Sequence, residues 1–374
     1  MKQLVLLGGG HAHVEVLRSL ALQPLDTCTV TLVSPRDFQL YSGMVPGHLA
    51  GHYTLEECGI PVATLALRAG VRFLRTRAAL IDPSRREITL ADGGELTYDV
   101  LSLDIGSRGF TGEVPGVMQH GIVVRPLDAM LQEWAKVHAR AGSGEIRSIT
   151  MVGGGAAGVE LAFAMDHRLK ASFAEHAPHV RVVADTREPL PELAHGIRAR
   201  ATLMLARRGI GLHCGHRARE IGPGYVRLEG GNEFASDATF WSAGAAAPEL
   251  IRESGFVTDD DGYLLTDAAL RSVSHPEVFG AGDCATQRDA VRPKAGVFAV
   301  RAGPALAANL RAAIAGTGLT PHLPSKRYLA LLSAGSRYAL GAWNGVSFQG
   351  GWLWRWKDRI DRRFIARYRD LQPD

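Results

Sequence analysis

Cysteine is scarce. The chain has four in 374 residues, Cys28, Cys58, Cys214 and Cys284, at intervals of 30, 156 and 70 with no CxxC pair. That spacing argues against a disulfide framework or a zinc site. No run of 18 apolar residues occurs, so no segment is expected to span a membrane. The opening MKQLVLLGGG carries one Lys and an apolar run too short for a secretory leader, which makes a cytoplasmic location the default expectation. One-signed charge is missing from the body as well. The formal net charge is +4, and residues 352–369 hold seven Lys and Arg against Asp358 and Asp361, a local balance of +5 that leaves the remainder at −1. A nucleic-acid protein would need a basic face across the fold, so nucleic acid is not an expected partner.

Glycine is abundant: 43 residues, above an average usage of about 7%. The length implies two or three domains. Gln3 to Leu7 reads as a strand, Gly8-Gly9-Gly10 as a turn and Ala12 to Leu22 as a helix. In such a unit the first glycine permits the tight turn and the second lets backbone approach a pyrophosphate at the helix N-terminus. The third glycine position is His13, and the next strand, Thr29 to Val33, ends at Ser34 where a ribose-binding carboxylate is usual. His11 and His13 share the turn, but two ligands on a phosphate loop do not make a metal site, and no metal is expected.

A second copy begins 145 residues later. A strand from Ile149 to Val152 leads into Gly153-Gly154-Gly155-Ala156-Ala157-Gly158-Val159-Glu160, which supplies all three glycines. The following strand, Val180 to Val183, exits through Ala184-Asp185-Thr186-Arg187. Asp185 can hold a ribose diol and Arg187 a 2′-phosphate, leaving NADH and NADPH both open. Strand-then-glycine exits recur at Tyr98 to Ser107 and Phe240 to Ala245. Val278 to Ala285 ends in Gly282-Asp283, where a carboxylate either accepts hydrogen bonds from a ribityl chain or caps a helix. Arg292 to Leu310 reads as a helix beginning after Pro293, its free amides suited to a partly anionic ring edge.

In order, the segments GxGxx, YDVLSLDIGS, GGGAAGVE, FWSAG, VFGAGDCA and PKAGVFAVRAGP resemble the flavoproteins of the pyridine nucleotide-disulfide oxidoreductase superfamily, over nearly the whole chain. With YSGMVPG (Tyr41 to Gly47) and GGGHAHVEVL, the chain looks like the flavoprotein module found fused ahead of selenide, water dikinase. Type II NADH dehydrogenases and sulfide:quinone oxidoreductases are similar. The resemblance implies an α/β fold of two Rossmann-like three-layer domains, the second inserted in the first. Residues 1–110 and 242–312 would bind FAD, 111–241 NAD(P), and 313–374 would form a β-meander with an amphipathic helix. It implies FAD on Gly8, Gly10, His11, Ser34, Arg36, Pro46, Ala78, Gly106, Gly282 and Asp283, the ring lying near Lys294, Ala295 and Gly296. Nicotinamide nucleotide falls on Gly153, Gly155, Gly158, Glu160 and Gly244, with Asp185 at the strand exit.

Disulfide reductases carry a cysteine pair after the first nucleotide helix, yet residues 35–75 contain only Cys58, and none lies between 58 and 214. Thiol chemistry is therefore not expected, and Cys28, Cys214 and Cys284 read as core. What remains is hydride from NADH or NADPH passing through flavin to a quinone-like or other small non-thiol acceptor. The alternative is an FAD-binding partner or scaffold in selenium or sulfur metabolism with a vestigial nicotinamide site. Two residues stand as catalytic candidates. Lys294 either stabilises charge on reduced flavin or is a solvated lysine, and Glu160 either meets the nicotinamide or complements the dipole from its helix's first turn.

The C-terminal region reads as three strands, Tyr328 to Ser333, Arg337 to Trp343 and Val346 to Phe348, the last two joined by an Asn344-Gly345 hairpin turn. From Trp352 a helix repeats Trp352, Trp356, Ile360, Phe364 and Tyr368 every four residues, flanked by arginines. Such a helix either lies in an anionic membrane interface on the cytoplasmic face or packs on its own body or a homodimer partner.

Overall fold

The computed structural model describes residues 1–112, 114–325 and 329–371. Two five-stranded parallel sheets carry the architecture, and their orders match position for position. The first runs Val278–Gly280, Val100–Leu103, Lys2–Leu7, Cys28–Val33, Arg72–Leu74. The second runs Gly121–Val123, Ala238–Trp241, Ser148–Val152, His179–Ala184, Gly211–Cys214. The first sheet thus draws its edge strand from beyond the second sheet in sequence.

Alternation within each strand explains the layers, because successive side chains leave opposite faces. Leu4 and Leu6 pack with Val14 and Leu17 of the helix His11–Leu22, while Val5 and Leu7 pack with Ile81, Ile88 and Leu90. The latter belong to an antiparallel sheet of Ala78–Asp82, Glu87–Leu90 and Glu95–Thr97. The second unit repeats the plan: Ile149 and Met151 face the helix Ala156–Phe173, and Val152 faces Ile221 and Val226 of another three-stranded sheet. A strand buried on both faces reads as a continuous apolar run, which is why both were legible.

Some elements differ from expectation. The strand after Tyr98 is confined to Val100–Leu103, and the helix expected after Pro293 runs Gly296–Ala315. Cys214 closes its strand half-buried rather than in the core. The C-terminal strands are Ala330–Ser333, Ala339–Trp343 and Val346–Gly350; the expected start at Tyr328 lies outside the described residues. Asn344 and Gly345 take φ 47° and 83°, the left-handed pair that a two-residue hairpin turn demands.

The C-terminal helix, Gly351–Arg369, corrects the expected single apolar face. Trp352, Trp356 and Ile360 are exposed, Phe364 is half-buried and Tyr368 is buried. A four-residue step overshoots a 3.6-residue turn by about 40°, so the series drifts about 160° around the helix. The inward face is Leu353, Trp354, Ile365 and Tyr368, together with Lys357 and Asp361. It is fastened to the first unit: Tyr368 Oη donates to Glu15 at 2.9 Å, Tyr53 Oη donates to Asp358 at 2.7 Å, and Lys357 Nζ donates to Gly43 O at 2.6 Å. Among the described residues no helix is long and apolar enough to cross a membrane.

Candidate functional site

Both glycine loops open onto one cavity of about 2100 Å³. Every residue expected to bind a nucleotide lines it except Gly282 and Arg187. Gly8 sits at φ +93°, and a Cβ there would lie 2.2 Å from Asp104 O, so only glycine lets the strand turn into its helix beside the neighbouring strand. Gly282, at φ +71°, turns its Cβ side toward the Asp104 carboxyl at 2.4 Å rather than toward the cavity. That close approach, not cofactor contact, requires glycine there.

His13 fills the third glycine position. Its ring is bonded to Gly8 O at 2.6 Å and to Ser102 Oγ at 2.8 Å, spanning the gap that a glycine would close. Asp104, also missed as a functional residue, accepts the Ala12 and His13 amides at 2.8 and 3.0 Å. The helix has no side-chain cap of its own, so Asp104 supplies one from the adjacent strand. His11 Nε2 is buried without a protein partner, in a ring that burial holds down to about 4 and therefore neutral. His11 lines the cavity and packs near Tyr41 and Phe364, with centroids 5.8 and 6.3 Å away. An orphaned buried nitrogen beside a glycine cradle fits a bound cofactor with oxygen atoms at that point.

Asp283 is neither a helix cap nor free. Arg125 Nη1 donates to its Oδ2 at 2.5 Å and also to Ser107, and Arg125 Nη2 reaches Lys294 O at 3.4 Å. Arg125, unremarked in the sequence, thereby ties three segments of the first site together. Lys294 lines the cavity, but its ammonium donates to Ala285 O at 2.6 Å and Thr286 Oγ1 at 2.8 Å, over the Tyr263 ring. Burial lowers its pKa, and the charge sits in the wall, anchored.

Glu160 lies in the second turn of its helix, which removes the first-turn dipole alternative. Its Oε1 accepts the Ser333 amide at 2.6 Å. Burial pushes the carboxyl up to about 7, against the opposing pull of Lys357. Lys357 is itself paired with Asp361 at 2.6 Å, and the Tyr41 hydroxyl bonds to the same carboxylate. The C-terminal helix thus holds an ion pair within electrostatic reach of Glu160 and packs Phe364 on Tyr41 near His11, although none of its described residues lines the cavity. At the second strand exit, Asp185 is exposed and lines the cavity; Arg187 does not.

None of the four cysteines lines the cavity. Cys58 and Cys284 are buried, and burial pushes both thiols up to about 12. A thiolate relay at neutral pH has no thiol at hand here.

Residues 2–307 match the pyridine nucleotide-disulphide oxidoreductase family. The chain belongs to this family. A NADH dehydrogenase-like protein of Mycobacterium tuberculosis is 28% identical over 300 residues, covering 77% of this chain and 74% of that protein. The demethylphylloquinone reductase NdbB of Synechocystis is 27% identical over 300 residues, 77% and 73% of the two lengths. In fold, the sulfide:quinone oxidoreductase of Aquifex aeolicus superimposes with TM-score 0.82 at 19% identity, over 99% of this chain and 92% of that one. NDH2 of Plasmodium falciparum, solved with NADH, gives 0.81 at 14% identity, over 100% and 99%. The protein is an FAD-dependent NAD(P)H oxidoreductase. When bound, FAD would supply hydride and electron-transfer chemistry between NADH or NADPH and an acceptor. The chain binds, orients and adjusts charge around it.

Proposed function

We propose that this oxidoreductase delivers electrons to a membrane quinone, with FAD on the Gly8–His11 loop and the nicotinamide nucleotide on Gly153, Gly155 and Gly158. The observation that carries the reading is Glu160, a cavity-lining carboxyl that burial pushes up to about 7, with the Lys357–Asp361 pair of the C-terminal helix in electrostatic reach. Reducing a quinone takes protons as well as electrons, and a carboxyl with a pKa near ambient pH is suited to deliver one. With Oε1 occupied by the Ser333 amide, the proton resides on Oε2. Lys357, paired with Asp361, offsets the repulsion that the Asp361 carboxylate exerts on Glu160. The named quinone-reducing relative supports the same acceptor class. The outward face of the C-terminal helix, Trp352, Trp356 and Ile360 among Arg355, Arg359 and Arg363, is suited to an anionic membrane interface where a quinone would be met. The scaffold alternative requires a disused nicotinamide loop, whereas the second loop keeps all three glycines with open space at Gly155.

Stopped-flow mixing of the anaerobic holoprotein separates the half-reactions. Glu160→Gln should leave flavin reduction by NAD(P)H within about twofold and slow reoxidation by a soluble quinone about 100-fold. In wild type the quinone step should fall as pH rises through about 7, because the donor loses its proton, and the variant should show no such fall. Equal reoxidation rates in both proteins would remove quinone protonation from Glu160.

A further inference from the structure

The Asp104 carboxyl occupies an unusual place for a negative group. It is buried, with 3% of its surface exposed, at the N-terminus of the helix His11–Leu22, where the FAD pyrophosphate also belongs. Oδ2 is committed to the Ala12 and His13 amides. Oδ1 points into the seam between the two glycine turns, 2.2 Å from where a Gly10 Cβ would lie and 2.4 Å from that of Gly282. Gly10 belongs to the phosphate loop and lines the cavity, so an ionised Oδ1 and a pyrophosphate would compete for one helix end.

We propose that Asp104 binds FAD as a neutral acid, its proton held on Oδ1, so that cofactor binding and protonation of Asp104 are coupled. Two helix amides would ordinarily keep a carboxyl ionised. Here burial outweighs them and pushes the group up to about 7, with Asp283 adding repulsion, before any phosphate charge arrives. A pyrophosphate diester brings two more negative charges and raises the bound-state value further. The surrounding groups leave the assignment clean. On the helix, burial holds His11 and His13 down to about 4, so both stay neutral. On the 282–284 turn, Asp283 is paired with Arg125, and the Cys284 thiol stays protonated. Lys294 is anchored to Ala285 and Thr286 beyond them.

The sign follows from linkage. An acid whose pKa is higher with FAD bound gives full affinity below its free value, about 7, and loses it as pH rises from there toward the bound value. The proposal rests on FAD occupying the first loop; that FAD is bound at all is read independently from the absorbance spectrum of the holoprotein. FAD release can be followed by flavin fluorescence across about pH 6 to 9, with proton release read by an indicator dye in weak buffer. Wild type should lose affinity up to about tenfold per pH unit above 7 and release close to one proton per FAD near pH 8. Asp104→Asn, which keeps the shape and the amide acceptor, should hold FAD equally across the range. PH-independent retention by wild type without proton release overturns the proposal, as does an unchanged pH slope in the variant. Should the variant not fold, the wild-type proton count decides alone.

Discussion

The two phosphate loops, GGGHAH at 8–13 and GGGAAG at 153–158, occupy matching places in matching sheets and are closed in different ways. In the second loop, a Cβ on Gly158 would lie 2.0 Å from Gly153 O, so helix and strand are pressed into direct contact. In the first, the His13 ring bridges Gly8 O and Ser102, and Asp104 caps the helix from the neighbouring strand. The second unit has Phe240 and Ser242 at the places of Ser102 and Asp104. A close contact tolerates the coming and going of a ligand. A buried polar network is stable only when every member is satisfied, and it ties the loop to its strand. The departure from the glycine fingerprint is therefore an alternative solution with its own partner residues.

Breaking the polar plug should have the largest effect. His13→Ala leaves a buried gap and strands Ser102 Oγ and Gly8 O, which should destabilise the protein by about 3 to 5 kcal/mol, read as a lowered melting temperature with loss of flavin. Acid provides the same test without mutation. Burial depresses the His13 pKa from 6.5 to about 4, so its contribution is intact above 6.5 and is lost as pH falls through about 4. A loss on the order of 3 kcal/mol over that window is expected, and the variant should show a shallower acid limb. Next comes the second loop. Gly158→Ala drives a methyl into the Gly153 carbonyl and should cost about 1 to 3 kcal/mol locally, weakening NAD(P)H binding roughly tenfold to 100-fold while the flavin content stays unchanged. Loss of flavin from that variant would show that the two loops are not energetically separate.

Most of the fold was legible because parallel strands buried on both faces read as apolar runs, each followed by a glycine turn. Gly8, Gly10 and the 153–158 loop were found for that reason. Asp104 and Arg125 were not, since their roles depend on which strand lies beside which loop, and no local pattern marks them. Ser102 and Asp104 lie in the segment that accompanies the unusual GGGHAH turn, and that co-occurrence was the available signal. The C-terminal helix misled for a different reason: four-residue spacing is close enough to the helical repeat to suggest one face but drifts across two over the 19 residues. Lys357 and Asp361, charged residues in a basic stretch, gave no sign that they would be buried.

The smallest expected effect concerns the strand exits, where the two units diverge again. The first exit is Ser34, whose hydroxyl turns back to Arg36 O at 3.1 Å. The second places Ala184 where a carboxylate is usual, and its Cβ lies so close to the loop that a Cβ on Gly154 would be 2.5 Å from it, which requires glycine at 154. Asp185, one residue later, is the group that lines the cavity. If it accepts the ribose hydroxyls of NADH, Asp185→Ala should raise the KM for NADH by about fivefold, near 1 kcal/mol, because an exposed carboxylate gives less than a buried charged hydrogen bond. The KM for NADPH should stay level or fall, since the substitution removes a negative charge beside the 2′-phosphate while His216 and Arg217 remain on the same cavity wall. Flavin content should not change. An unaltered KM for NADH would mean that the nucleotide is held by the 153–158 loop alone, and that the second unit distinguishes NADH from NADPH by means other than its strand-end acid.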